Sequence, residues 1–92
     1  MILALFGKTA PALLEKLESG RRSGDPSAFR SATHALVGSC ANVGAIELSR
    51  LARSLEDAIL AGDTAEQDRL YPLAHAELKA AITGVAGYLK EN

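Results

Sequence analysis

Four stretches of this chain place apolar residues at every third or fourth position, the spacing of one face of an α-helix. None alternates apolar and polar residues as a half-buried strand would. Short polar turns separate the stretches, and helices joined by short turns pack as antiparallel neighbours. The sequence therefore predicts an all-α fold, an antiparallel four-helix bundle. The predicted inward residues are Leu3, Phe6, Ala10, Leu13, Leu14 and Leu17 in the first helix, Phe29, Ala32, Leu36 and Val43 in the second, Leu48, Leu51, Ala52, Leu55 and Ile59 in the third, and Leu70, Ala74, Leu78, Ala81, Val85 and Tyr88 in the fourth.

Glycine, aspartate and proline mark the first boundary between helices. The run Gly20–Gly24 ends the first helix, and Asp25 followed by Pro26 begins the second. Aspartate caps free backbone amides, and proline is tolerated at the first helical position, where no N–H is needed. Inside a helix proline removes a backbone hydrogen bond. Pro11 is therefore expected to kink or divide the first helix, and Pro72 to bend the first turns of the fourth.

Similar signals set the later boundaries. The second helix should run to about Asn42, with Gly44 in the turn that follows. Gly62 should close the third helix. Asp63 with Glu66 three residues later predicts a capping box at the start of the fourth helix.

Length and composition limit what this bundle can be. The 92 residues, 48% of them hydrophobic, fit a single domain over 1–92 with one core. A formal net charge of −1 and a pI of about 6.1 argue against nucleic-acid binding, which usually requires a basic surface. The single cysteine, Cys40, excludes an internal disulfide and makes the cytoplasm the expected location.

The chain begins directly in an apolar stretch, Met1–Gly7, which is too short to span a bilayer and lacks the features of a signal peptide. We therefore expect no direct membrane contact. This start also suggests a fragment of a larger protein.

One histidine should lie on the surface of the second helix. With 100° per residue, His34 lies about 180° from the centre of that helix's apolar stripe. Its neighbours at helical spacing are Arg30, Ser31, Val37, Gly38 and Ala41. These side chains are mostly small or polar, so a second protein could approach the imidazole closely.

The sequence around this histidine forms an extended motif. It reads Thr33-His34-Ala35-Leu36-Val37-Gly38-Ser39-Cys40, then Gly44-Ala45, then Leu51 to Leu55-Glu56, then Gly62-Asp63. Residues 26–62 thereby resemble the histidine-containing phosphotransfer (HPt) domains of multistep two-component phosphorelays. Their pattern is roughly Ala-His-x-Leu-Lys-Gly-Ser-(small)-x-x-x-Gly-Ala, followed by Leu-x-x-Leu-Glu and Gly-Asp.

The resemblance implies that His34 accepts a phosphoryl group from a receiver-domain aspartate and passes it to another receiver. It also implies a four-helix bundle and no cofactor in this domain, since the magnesium ion belongs to the receiver. The partners would be receiver domains and a sensor kinase. Whether the chain is the tail of a hybrid sensor kinase or a free-standing shuttle stays open, and its fragment-like start favours the tail.

One further site residue follows from the same comparison, and helical spacing suggests another. Glu56 matches a position that often holds Glu or Gln and orients the imidazole by accepting a hydrogen bond from the nitrogen that is not phosphorylated. The family usually has lysine three residues after the histidine, where this chain has Val37. Arg30, one turn on the other side of His34, could supply a cation to the phosphoryl group instead.

Two functions remain open at this point. The first is a phosphocarrier that docks receivers on Ser31, Val37, Gly38 and Ala41. The second is a bundle of the same shape that holds a partner without transfer, an alternative that Val37 supports. Cys40 should be a small buried hydrophobe and His75, which lies off the apolar stripe of the fourth helix, should have no role. Neither these residues nor His34 show a metal-ligand spacing or a nucleotide fingerprint.

Overall fold

A computed structural model shows four α-helices: α1 (Ile2–Ser23), α2 (Pro26–Val43), α3 (Ile46–Ala61) and α4 (Thr64–Glu91). It describes the backbone of residues 2–43 and 46–91 and the side chains of residues 8–40 and 46–84. Each helix packs against the next in the chain, and α1 also packs against α4, so the helices close a ring around one core. Their connections are short, which makes successive helices antiparallel. The predicted four-helix bundle is confirmed.

The predicted inward faces form this core. The fully or nearly buried apolar residues are Ala10, Leu13 and Leu17 in α1, Phe29, Ala32, Leu36 and Cys40 in α2, Leu48, Ala52, Leu55, Ala58 and Ile59 in α3, and Leu70, Ala74 and Leu78 in α4. Leu14, Leu51 and Ala81 pack partly buried against it. The predicted core residues Leu3, Phe6, Val43, Val85 and Tyr88 lie outside the described side chains.

The first turn is built as the sequence predicts. Gly24 has φ +70°, a conformation that glycine adopts without the steric strain of a side chain. Asp25 then caps α2, because its Oδ1 accepts a hydrogen bond from the backbone N–H of Ser27 at 3.0 Å. Pro26 is the first residue of α2. This cap fixes where α2 begins.

The turn between α3 and α4 differs from the prediction in one detail. Gly62 has φ +69° and Asp63 Oδ1 accepts from the Glu66 N–H at 3.1 Å, which is one half of a capping box. The other half of the box, a bond from the Glu66 side chain to the Asp63 N–H, does not form, so that part of the prediction is wrong. The Glu66 carboxylate instead binds Arg69 at 2.7 Å, and the Asp63 N–H donates to the Ala58 carbonyl at 2.9 Å. Because the Asp63 amide is already bonded within the turn, the Glu66 carboxylate pairs with Arg69, one turn along α4.

Both internal prolines lie within continuous helices. Pro11 is inside α1 and Pro72 inside α4, and both are exposed. The prediction that Pro11 could divide the first helix is wrong. A proline removes only one helical hydrogen bond, and the buried residues Leu13 and Leu17 continue the packed face beyond it.

Gly20 brings α1 and α2 unusually close together. A Cβ atom at this position would lie 2.9 Å from the Cα of Phe29 and 3.2 Å from the carbonyl oxygen of Ala28. Both are backbone atoms, so a side chain would push the two helices apart. The glycine therefore sets the contact that positions the N-terminal half of α2.

No helix in the described part of the chain combines the length and hydropathy needed to cross a membrane.

Candidate functional site

His34 projects from the outer face of α2 into solvent. Its side chain is 70% exposed, while two residues of the inward stripe of the same helix, Ala32 and Leu36, are buried. The preceding residue, Thr33, is fully buried, and its hydroxyl donates to the Phe29 carbonyl at 2.8 Å. That bond satisfies a polar group that would otherwise destabilise the core. The helical register that buries Thr33 is also the one that exposes His34.

Glu56 of α3 holds one edge of the imidazole. The distance from His34 Nδ1 to Glu56 Oε2 is 2.9 Å, and the Glu56 side chain is only 13% exposed. A carboxylate can only accept hydrogen bonds, so this contact favours the tautomer with the proton on Nδ1. The lone pair is then on Nε2, for which no hydrogen-bond partner is recorded among the described residues. The arrangement leaves a nucleophilic nitrogen on the solvent side.

Arg30 contacts the same carboxylate oxygen. Its Nε lies 3.6 Å from Glu56 Oε2, and its side chain is 50% exposed. Arg30 and His34 are one turn apart on α2, so the same Glu56 oxygen of α3 contacts both side chains. Sequence reasoning identified Arg30 and Glu56 separately but did not predict that they pair. The predicted contact between Arg30 and a phosphoryl group stays a prediction.

The surface beside His34 is only partly as predicted. Gly38 and Ser31 are exposed, and a Cβ at Gly38 would have no atom of the described residues within 4 Å. Val37, expected to be exposed, is partly buried and packs against the core. It lies at the boundary where α2 meets the rest of the bundle, and periodicity within α2 alone does not define that boundary. The side chain of Ala41 lies outside the described residues.

An open groove runs between α1 and α2 next to this surface. Its volume is about 630 Å³, and Ser31 and Ala35 form one border beside His34. The other border includes Ala12, Lys16 and Ser19 of α1. Most of the side chains that border this groove are short, so its described part stays open beside His34.

The second histidine is held in a different way. His75 of α4 is 24% exposed and its Nε2 lies 2.8 Å from Glu18 Oε2 of α1. The hydrogen bond from His75 lowers the pKa of Glu18. The ring of Tyr71 lies 5.5 Å from that of His75, and the Arg21 guanidinium lies 4.7 Å from the Tyr71 ring centre. His75, expected to have no role, links α1 to α4.

Cys40 is the other reactive side chain that the sequence singled out. Cys40 is fully buried, as predicted, and burial raises the pKa of its thiol to about 11. Within the described side chains, no three His, Cys, Asp or Glu residues come together as a metal site would require.

Comparison with known proteins gives one result. The family model for the Hpt domain matches residues 1–88, nearly the whole chain. No match was found among curated proteins or among solved structures.

Proposed function

This chain belongs to the Hpt domain family, and we propose that it carries phosphoryl groups between receiver domains, with His34 as the carrier residue. Members of this family serve histidine phosphotransfer in phosphorelays as carriers, and the catalytic machinery is on their partners. The observation that supports His34 is its 70% exposed imidazole, with Nδ1 held 2.9 Å from Glu56 and no partner for Nε2 among the described residues. His75 has the opposite arrangement, since its Nε2 is held by Glu18.

The transfer needs one nucleophilic displacement. The Nε2 lone pair of His34 attacks the phosphorus of an aspartyl phosphate on the receiver. The N–P bond forms while the P–O bond to the aspartate breaks, and its electron pair leaves with the carboxylate. A magnesium ion held by the receiver would supply charge stabilisation to the phosphoryl oxygens. The imidazole is then cationic, because it keeps the proton on Nδ1.

Glu56 assists this step in both directions. Its carboxylate accepts the Nδ1–H hydrogen bond and stabilises the positive charge that develops on the ring. In the reverse direction, or in transfer to a second receiver, an oxygen of the acceptor aspartate attacks the phosphorus and the N–P bond breaks. His34 then leaves as a neutral imidazole, because the proton never left Nδ1. One contact thus supports both accepting and donating the phosphoryl group.

The surface beside His34 is suited to a receiver. Gly38 and Ser31 project little or nothing from α2, so the loops around a receiver's aspartate can approach Nε2. Arg30 supplies the cation nearest to His34 on α2, where the usual lysine is replaced by Val37. We propose a sensor kinase as the original phosphoryl source, with this domain as part of the same hybrid protein. The cytoplasmic location of that relay stays a prediction.

The test is transfer from a receiver labelled with radioactive phosphate. We expect the wild-type protein to take up the label and the His34→Gln variant to take up none. The label should be acid-labile and stable to base, as a phosphoramidate is. His75→Gln is the matched control, because the chain has two histidines, and it should be labelled like wild type.

The same experiment distinguishes the alternative function. A bundle that only holds its partner would bind the receiver, as measured by calorimetry, without taking up label. Full labelling of His34→Gln would contradict the assignment of the carrier residue.

A further inference from the structure

The carboxylate that orients His34 has a second partner. Glu56 Oε2 lies 2.9 Å from His34 Nδ1 and 3.6 Å from Arg30 Nε. The Glu56 side chain is 13% exposed, whereas those of Arg30 and His34 are 50% and 70% exposed. A largely buried carboxylate on α3 is therefore approached by two exposed groups from successive turns of α2. For Glu56, the structure records no other ion pair or side-chain hydrogen bond among the described residues.

The position of this oxygen decides which nitrogen of His34 carries the proton. The terminal torsion of a glutamate is broad, so one exposed imidazole defines the carboxylate orientation poorly. A guanidinium is always charged, whereas the neutral imidazole offers a single N–H. The ion pair with Arg30 attracts Oε2 to the α2 side at any pH at which Glu56 is ionised. That attraction holds the oxygen where Nδ1–H can reach it.

We propose that Arg30 is a positioning residue that holds the Glu56 carboxylate against Nδ1 of His34 and so keeps the lone pair on Nε2. The proposal rests on the proposed function of His34, because it explains how the phosphoacceptor nitrogen is kept unprotonated. It differs from a direct contact between Arg30 and the phosphoryl group. In that case the arginine would act only once phosphate is present, and it would act independently of Glu56.

The first test measures the tautomer of free His34 and uses no phosphate. Nitrogen-15 chemical shifts of the imidazole report whether the neutral ring carries its proton on Nδ1 or on Nε2. We expect the Nδ1–H form to predominate in wild type, and Arg30→Ala to reduce the ratio of the two forms by about two- to fivefold, the range for an exposed ion pair. Arg30→Lys should restore most of the difference.

The matched control is Arg53, an exposed arginine on α3 one turn before Glu56. Arg53→Ala removes the same charge from the same region and should leave the tautomer ratio of His34 unchanged. An unchanged ratio in Arg30→Ala, or an equal change in Arg53→Ala, would overturn the proposal. Because this measurement needs no receiver, its result is independent of whether the domain transfers phosphate.

The second test is a double-mutant cycle on the rate of transfer from the phosphorylated receiver. Arg30→Ala should slow transfer by about two- to fivefold in wild type. In a Glu56→Gln background, where no ion pair can form, Arg30→Ala should have no further effect. If the two effects multiply instead, Arg30 acts on the phosphoryl group directly and the positioning role is wrong. A lack of transfer by wild type would refute the proposed function, while the tautomer result would still stand.

Discussion

The glycine one turn after His34 offers the sharpest test of the proposed docking surface. Gly38 lies in the interior of α2, where glycine destabilises a helix by about 1 kcal/mol relative to alanine. A Cβ at this position would meet no atom of the described residues within 4 Å, so packing in this part of the chain does not require the glycine. We therefore predict that Gly38→Ala stabilises the isolated domain by about 1 kcal/mol. For 92 residues this corresponds to a rise in Tm of about 4–8 °C.

The rate of phosphoryl transfer from the receiver should fall when Gly38 gains a side chain, although the stability of the domain rises. A helical side chain points toward the N-terminus of its helix, so a side chain at Gly38 would cover the turn that carries His34. Gly38→Ala adds one methyl group and should slow transfer slightly. Gly38→Gln adds a long side chain, and crowding of a packed contact costs about 1–3 kcal/mol. We expect at least about a tenfold loss of rate, which corresponds to about 1.4 kcal/mol.

Gly20 is the matched control for the stability half of this prediction. It is also a helical glycine, but its Cβ would lie 2.9 Å from a backbone atom of Phe29. Gly20→Ala should therefore lower the free energy of unfolding, measured by urea denaturation, where Gly38→Ala raises it. The reasoning fails if Gly38→Ala destabilises the domain, or if Gly38→Gln transfers phosphate as fast as wild type.

Two further predictions concern groups away from this surface. Burial raises the pKa of the Cys40 thiol to about 11, so a thiol reagent at neutral pH should modify it only in denaturant, and rapid reaction in buffer would contradict its burial. The hydrogen bond from His75 lowers the pKa of Glu18, so this carboxyl stabilises the fold above its unfolded-state pKa and loses that contribution as the pH falls through its folded-state pKa. His75→Gln should therefore flatten the acid side of a plot of unfolding free energy against pH, and an unchanged acid side would show that the pair contributes nothing.

The fold could be predicted from the sequence because its signals are local and agree with one another. Asp25 and Gly62 mark helix ends through bonds and backbone angles that involve only nearby residues. The errors arose where tertiary packing decides the outcome. Pro11 does not divide α1, because the buried face continues past it, and Val37 is partly covered because of how α2 lies on the core.

The site was predictable only in part for a related reason. Helical periodicity within α2 was enough to expose His34, and the family resemblance identified Glu56 as its partner. Neither the periodicity nor the resemblance could show that Arg30 shares the Glu56 carboxylate, because that contact depends on the register between α2 and α3. The same limit applies to the pair of Glu18 and His75, which are 57 positions apart and carry no common motif.

The core fixes the geometry of a site that is itself on the surface. His34 follows the fully buried Thr33, and Glu56 follows the fully buried Leu55. A hydrogen bond weakens once its atoms separate beyond about 3.2 Å, so the 2.9 Å contact requires α2 and α3 to keep their register within a few tenths of an ångström. Close-packed interiors provide that precision, because buried side chains cannot slide past one another. The exposed side of α2 has the opposite requirement. If a receiver docks there as proposed, it supplies the second surface, and open space at Gly38 would serve its approach to Nε2 better than the most stable helix.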